Sequence, residues 1–207
     1  MLVVGLTGSI ATGKSTVAAL LAARGGWVVE ADQIGHALQE PGTACYRQIL
    51  EAFGPGVLDA DGRIDRKRLG AKVFADPEAR RRLEAILHPA LWEGCREEAR
   101  RAEAAGAWLV VVDAALLLEA GQRGWLDALV VVTAPEEAQI RRLAAQRGLS
   151  EAEARLRLCS QWSSQEKAAQ ADVVIDNGGD LAATEAQVER LMEILRARRA
   201  DSPGRGT

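Results

Sequence analysis

The chain has 207 residues, 48% of them hydrophobic, which suffices for one full core with a small inserted subdomain. Its net charge of −3 and pI of about 5.6 give no reason to expect a nucleic-acid partner or an anionic membrane surface. The three cysteines are far apart and form no C-x-x-C pair, which argues against disulfides or a zinc site and favours the reducing cytoplasm.

The first apolar run, Leu2 to Thr7, predicts a strand, and it leads directly into Gly8-Ser9-Ile10-Ala11-Thr12-Gly13-Lys14-Ser15. We therefore interpret the run as a strand and not as a signal peptide. Two glycines with four residues between them, followed by Lys and Ser and then by an alanine-rich helix, are typical of a phosphate-binding loop. In such a loop the backbone N–H groups surround an anion, Lys14 reaches the β- and γ-phosphates, and the Ser15 hydroxyl binds Mg²⁺.

A second strand, Trp27 to Glu30, is followed by Asp32 and a helical stretch that extends to about Glu40. A carboxylate beside the γ-phosphate could accept the proton of an attacking hydroxyl or orient that hydroxyl. Asp is also a common helix N-cap, and position alone favours neither role.

From Thr43 to Ala105 the sequence predicts helices and turns without a strand. Asp65 is expected to cap one helix, and Pro77 to begin another, which His88-Pro89 interrupts. A lone His at a helix break is more often a loop or cap residue than a catalyst. A helical insertion between strands of a parallel sheet is a place where a second substrate could bind.

Three further strands are predicted at 108–113, 127–134 and 172–176, with helices at 135–147, 150–162 and 180–199. Strands that alternate with helices indicate an α/β fold: a three-layer parallel sheet of about five strands with helices on both faces. In this fold ligands bind at the carboxyl ends of the strands, so the phosphate loop, Asp32, Asp113 and Asn177 should share one edge of the sheet.

Asp113 ends a buried strand, where phosphate-loop proteins often hold Mg²⁺ with an acid, directly or through water; the alternative is a polar strand terminus. Glu119 is the weaker candidate, since it fits a solvated loop acid. The segment after the fourth strand is rich in cations, which form either a lid over the transferring phosphoryl group or solvated helix faces paired with acids. These cations are Arg141, Arg142, Arg147, Arg155, Arg157 and Lys167.

Taken together, these motifs resemble the dephospho-CoA kinase family, a phosphate-loop kinase family similar to the nucleoside monophosphate kinases. The similarity extends to about Arg199. The motifs that carry it are Gly5 to Thr16, Glu30-Ala31-Asp32-Gln33-Ile34-Gly35-His36, Asp61-Gly62-Arg63-Ile64-Asp65-Arg66, Phe74, Leu87-His88-Pro89, Gln139 to Arg142, Arg157, Gln161, Lys167, Asp172 and Ile175-Asp176-Asn177. Glu30 and Ala115 depart from the family pattern, which usually has Asp and Pro there.

The resemblance implies ATP-dependent phosphorylation of the ribose 3′-hydroxyl of dephospho-CoA, the last step of coenzyme A synthesis, with Mg²⁺. The core would comprise residues 1–32, 106–140 and 171–200, the substrate-binding insertion about 33–105, the lid about 141–170, and a flexible tail 201–207. The implied catalytic residues are Asp32 and Lys14. The implied ATP-binding residues are Gly8, Ala11, Thr12, Gly13, Lys14, Ser15, Thr16, Arg142 and Arg147; metal binding falls to Ser15 and Asp113; and substrate binding falls to Asp32, His36, His88 and Arg157.

The enzyme is expected to be cytoplasmic and monomeric or weakly oligomeric, with small-molecule partners only. Two other kinds of protein share the phosphate loop: another small-molecule kinase, which a panel of acceptors would separate, and a nucleotide switch. The chain has no Asn-Lys-x-Asp segment for reading guanine, which argues against a GTP switch. A nucleic-acid ATPase is disfavoured by the acidic pI.

Overall fold

The computed structural model describes residues 1–201, and the predicted tail lies outside them except for Asp201, which ends the last helix. The described residues form five strands: β1 (Leu2–Thr7), β2 (Trp27–Glu30), β3 (Leu109–Asp113), β4 (Ala128–Thr133) and β5 (Val173–Asp176). The helices are α1 (Lys14–Ala23), α2 (Ala31–Ala37), α3 (Ala44–Phe53), α4 (Arg66–Ala75), α5 (Pro77–Ala104), α6 (Glu136–Arg147), α7 (Glu151–Leu158), α8 (Ser164–Ala168) and α9 (Leu181–Asp201). Two short 3₁₀ turns lie at Pro55–Val57 and Gln122–Trp125.

The five strands form one parallel sheet in the order β2-β3-β1-β4-β5, which confirms the predicted fold class. The central strand β1 pairs with β3 on one side and with β4 on the other. Strands β3 and β4 are apolar along almost their whole length, as expected where helices cover both faces of a sheet. On one face, α1 and α9 bury Leu21 and Leu191 against this sheet.

The chain divides into two compact units. Within the described residues, the first unit comprises 1–29 and 99–201, and it contains most of the sheet. The second comprises residues 30–98, most of the segment predicted as the insertion. Its own small core is built from Ile49, Val57, Ile64 and Leu69, and Asp65 caps α4 as predicted.

Two boundaries differ from the sequence prediction. The helix expected to break at His88-Pro89 is continuous, because α5 extends from Pro77 to Ala104 with Pro89 inside it. The helix expected from Ser150 to about Trp162 is two helices, α7 and α8. Each of the two begins with a capping box, Ser150 with Glu153 and Ser163 with Glu166, and the second box marks a new start that the prediction missed.

None of the helices in residues 1–201 combines the length and the apolar character needed to cross a bilayer.

Candidate functional site

The phosphate loop connects β1 to α1 in a conformation that exposes backbone N–H groups. Gly13 adopts a left-handed backbone with φ of 87°, and so does Ala11 with φ of 61°, which is the single non-glycine residue of positive φ in the described chain. Within the described residues, the N–H groups of Gly13, Lys14 and Ser15 have no hydrogen-bond acceptor. Unpaired donors at a helix N-terminus, next to the positive end of the helix dipole, form a site for an anion such as phosphate.

Asn177, the only asparagine in the chain, fixes this loop from beyond the end of β5. Its Nδ2 donates to the Thr12 carbonyl at 2.8 Å, and its Oδ1 accepts from the Thr184 hydroxyl at 2.8 Å. A Cβ on Gly13 would stand 1.9 Å from Asn177 Nδ2, so the glycine is required by space as well as by φ. The sequence placed Asn177 at this edge but did not identify its role in supporting the loop.

Arg142 of α6 holds the same loop from another side. Its Nη1 donates to the carbonyls of Ala11 at 3.1 Å and Thr12 at 3.0 Å, and its Nη2 donates to the carbonyl of Asn177 at 2.7 Å. The guanidinium therefore stabilises the left-handed backbone of Ala11 and adds positive charge beside the N–H groups of Gly13, Lys14 and Ser15. Of the cations expected in the lid, Arg142 is the one that contacts the phosphate loop directly.

Lys14 and Asp113 form an ion pair at the ends of α1 and β3. Their side chains are 17% and 10% exposed, so water screens the pair weakly. Ser15, the next residue along α1, is exposed. Lys14 and its partner Asp113 thus lie at the helix end that carries these N–H groups, with Ser15 as the next residue, and their binding of a nucleotide stays a prediction.

The segment between α7 and α8 also contacts the phosphate loop. The Ser9 hydroxyl donates to the Trp162 carbonyl at 2.8 Å, and the Ile10 N–H donates to Gln161 Oε1 at 3.1 Å. Ile10 also packs against the small apolar cluster that joins α6 to α7. The chain just before α8 therefore meets the loop through both polar and apolar contacts.

A family model described as dephospho-CoA kinase matches residues 2–193, almost the entire chain. The chain belongs to the dephospho-CoA kinase family. A dephospho-CoA kinase of Anaeromyxobacter dehalogenans is 52% identical over 199 residues, 96% of this chain and 94% of that protein. One of Geobacillus kaustophilus is 44% identical over 195 residues, 94% and 96% of the two chains.

Solved structures agree with this assignment. The kinase is similar to TT1252 from Thermus thermophilus, with a TM-score of 0.80, 36% identity, and coverage of 95% of this chain and 97% of that one. It is similar to dephospho-CoA kinase from Campylobacter jejuni, with a TM-score of 0.70, 28% identity, and 95% and 98% coverage. A shikimate kinase from Bacteroides thetaiotaomicron, at 18% identity and a TM-score of 0.51 over 94% and 98% of the chains, shares the fold.

Membership establishes the class of reaction. Dephospho-CoA kinases phosphorylate dephospho-CoA with ATP in the last step of coenzyme A synthesis, so this kinase is a phosphotransferase with an alcohol acceptor.

In the unit of residues 30–98, the structure removes one alternative for Asp32. Glu30 occupies the N-cap position of α2, whereas Asp32 lies in the first turn with an exposed side chain. Within the described residues, the Asp32 carboxylate has no hydrogen bond or ion pair. The N-cap interpretation is therefore wrong, and the carboxylate is available for chemistry.

The two histidines of this unit have different surroundings. His36 is exposed, and its Nε2 lies 2.7 Å from Arg66 Nη1. Because a guanidinium can only donate, Nε2 is the accepting nitrogen in this contact. His88 is half-buried inside α5 with its ring edge-on to Trp92, at 6.4 Å between centroids, and not at a helix break as expected.

The remaining lid cations fall into three groups. Arg141, Arg147 and Arg157 are exposed side chains on α6 and α7. The assignments of Arg147 to ATP and of Arg157 to substrate stay predictions. Arg155 forms ion pairs with Glu136, Glu137 and Glu151, which matches the alternative of a solvated face paired with acids. Lys167 is completely buried, and Glu119, expected as a solvated loop acid, is its ion-pair partner at 2.9 Å.

Proposed function

We propose that this kinase transfers the γ-phosphate of ATP to the ribose 3′-hydroxyl of dephospho-CoA. In this proposal the phosphate loop binds the triphosphate, Ser15 and Asp113 hold Mg²⁺, and Asp32 acts on the acceptor. A bond forms between the 3′-oxygen and the γ-phosphorus, and the bond from that phosphorus to the β,γ-bridging oxygen breaks. The products are coenzyme A and ADP. The observation that carries the proposal is the set of unpaired N–H groups at Gly13, Lys14 and Ser15 next to the Lys14–Asp113 pair.

The phosphate loop binds the triphosphate through its backbone. Gly8 allows the close approach, because a Cβ there would meet the Val132 carbonyl at 2.6 Å and the Thr12 hydroxyl at 2.7 Å. When ATP binds, Lys14 exchanges its contact with Asp113 for the phosphate oxygens, so its charge follows the transferring group. Ala11, Thr12 and Thr16 shape the same loop, and Arg142 supports it.

Ser15 and Asp113 fit a magnesium ion. A hydroxyl and a carboxylate are the hard oxygen ligands that Mg²⁺ prefers. When Lys14 moves to the phosphates, the ion would replace the ammonium as the cation that balances the Asp113 carboxylate, directly or through water. Bound there, Mg²⁺ would neutralise charge on the β- and γ-phosphates.

Asp32 acts on the acceptor: its carboxylate takes the proton of the ribose 3′-hydroxyl or orients that hydroxyl for attack. Its support is the exposed side chain in the first turn of α2, which has no polar partner among residues 1–201. His36, His88 and Arg157 bind dephospho-CoA, whose phosphates suit cationic and hydrogen-bonding partners, and Arg147 contacts ATP.

A panel of acceptors tests the substrate. ADP release is measured with dephospho-CoA, shikimate and nucleoside monophosphates, and we expect turnover with dephospho-CoA alone. Activity with another acceptor and none with dephospho-CoA would reject the proposal.

The Asp32→Asn variant tests the base. We expect the affinity for ATP to stay within about twofold, while kcat falls by at least about a hundredfold, the usual contribution of a general base. Glu51→Gln is the matched control, because Glu51 is an exposed acid of the same unit, on α3. If Asp32→Asn turns over as fast as Glu51→Gln, the carboxylate has no role in the transfer.

The cellular setting follows from the same assignment. All three cysteines are free, which suits a reducing compartment, and we place the enzyme in the cytoplasm as a monomer or weak oligomer. Sedimentation at micromolar concentration measures the oligomeric state, and a stable higher oligomer would contradict the proposed monomer or weak oligomer.

A further inference from the structure

Lys167 is a buried lysine that the catalytic scheme above does not use. It belongs to the short helix α8, its side chain is fully inaccessible, and its Nζ donates to the Ala115 carbonyl at 2.6 Å. The same Nζ pairs with Glu119, whose side chain is 17% exposed. A lysine is rarely placed in such surroundings, because removing its charge from water is costly.

The Ala115 carbonyl that Lys167 binds also contacts the residue that precedes the phosphate loop. The Thr7 hydroxyl also donates to it, at 3.0 Å, and Thr7 is the last residue of β1, directly before Gly8. Ala115 lies two residues after Asp113. One carbonyl oxygen therefore links the end of β1, the end of β3 and helix α8.

The residues just before α8 contact the phosphate loop. Gln161 and Trp162 bind Ile10 and Ser9, and the Trp162 N–H donates to Glu119 Oε1 at 3.3 Å. We call residues 161–167 the clasp. The first residues of the clasp thus contact the phosphate loop, and its last residue, Lys167, contacts the loop after Asp113. Glu119 contacts both ends of the clasp.

Charge connects Lys167 to the same place. Burial lowers the pKa of Lys167, the contacts with Glu119 act in the opposite direction, and the positive charge of Lys14 lowers it further. The interaction between the Lys14 and Lys167 charges shows that the buried lysine lies close to the nucleotide site.

Stability alone does not explain why an ion pair occupies this site. A buried pair can often be replaced by uncharged groups of similar volume without loss of stability, whereas removal of one partner alone is strongly destabilising. The specific property of Lys167 is the direction of its hydrogen bond to Ala115, which apolar packing would not supply.

We propose that Lys167 is a positioning residue for phosphoryl transfer. Through its hydrogen bond to the Ala115 carbonyl, it fixes the positions of Asp113 and of the phosphate loop relative to the clasp. The inference rests on the proposed function of the loop and of Asp113. Lys167 touches neither ATP nor acceptor in this role; it sets the geometry of the residues that do.

The test separates folding from positioning by means of two variants. Lys167→Met alone leaves Glu119 without its buried partner, and we expect its melting temperature to fall. The double variant Lys167→Met/Glu119→Gln removes both charges, while the new amide side chain keeps an oxygen that can accept from the Trp162 N–H. We expect its melting temperature to return to within a few degrees of the parent chain, while kcat stays at least tenfold lower and the KM for ATP changes less than threefold.

Turnover of dephospho-CoA by the parent chain is measured first, since its absence would reject the proposed function and not the role of Lys167. Lys72→Met, at an exposed site on α4, is the control for loss of a lysine. A double variant that folds and has kcat within twofold of the parent would overturn the inference. A double variant that fails to fold would overturn it too, because the pair would then serve the fold itself.

Discussion

Gly13 carries two constraints at once, a left-handed backbone and the contact with Asn177. Either constraint is tolerable for alanine in some settings: the left-handed region costs a residue with a Cβ about 1–2 kcal/mol. A Cβ that overlaps Asn177 Nδ2 cannot be accommodated without moving an amide that is itself held by Thr12 and Thr184. The requirement for glycine at position 13 therefore comes more from the contact with Asn177 than from the positive φ.

The substitution Gly13→Ala should abolish measurable ATP binding, because the displaced Asn177 releases the Thr12 carbonyl and distorts the N–H groups. The matched control is Gly148→Ala, since Gly148 also has positive φ (63°) but a Cβ there would meet nothing within 4 Å. We expect the control to lose about 1 kcal/mol of stability and to keep its activity. Calorimetric titration with ATP provides the measurement, and equal affinity in the two variants would contradict the steric argument.

At the scale of elements, α5 is the exception to local sequence rules. Pro89 lies inside a helix of 28 residues, where its ring prevents a hydrogen bond to the carbonyl four residues earlier. The prediction of a break followed this rule, and it was wrong because the residues on both sides of Pro89 belong to the same packed helix. Leu87, before the proline, packs against the core of the unit, and Trp92 and Cys95, after it, are buried.

Pro89→Ala should raise the stability of the protein by about 1–3 kcal/mol, since alanine restores the missing hydrogen bond and is the best helix former. Pro77→Ala in the same helix provides the control, because Pro77 is at the first position, where proline is favourable. We expect no gain from it. Urea denaturation measures both, and a loss of stability in Pro89→Ala would mean that the helix needs the bend.

At the scale of the whole molecule, the cysteine thiols of the two units differ in reactivity. Cys45 and Cys95 are buried in the unit of residues 30–98, whereas Cys159 is exposed in the other unit. Burial raises the pKa of the Cys45 thiol and raises the pKa of Cys95 to about 11, so few thiolates form at neutral pH. Alkylation of these two cysteines therefore requires the unit to open.

If this unit binds dephospho-CoA, the ligand should slow alkylation of Cys45 and Cys95. At about a hundred times its Kd the rate should fall by about a hundredfold, because the ligand binds the closed unit and lowers the fraction of molecules in which the unit is open. ATP alone should give much less protection. The ligand is S-methylated, since its own thiol would consume the reagent, and modified peptides are counted by mass spectrometry in a Cys159→Ser background. Equal protection by ATP and by the ligand would argue against a separate acceptor unit.

Much of this architecture is visible in the sequence. Five apolar strands, the phosphate loop and the Asp at the end of β3 are encoded by local patterns, and they appear where the patterns placed them. The supports of the loop are different: Arg142 and Asn177 bind backbone carbonyls, which every residue carries. Nothing in local spacing indicates which carbonyl a side chain will meet. The ion pair of Lys167 with Glu119 was missed for the same reason, since each residue alone fits a solvated charge.

The distances along the chain between the loop and its supports also affect how the protein is made. Asn177 and Thr12 are separated by 165 positions, so the loop leaves the ribosome long before its support is synthesised. At ~5–20 residues per second, the delay is roughly 8–33 s. The central strand β1 waits as well, because both of its neighbours in the sheet come later in the chain. A nascent chain of this kinase thus gains its capacity to bind nucleotide only after Asn177 has been synthesised.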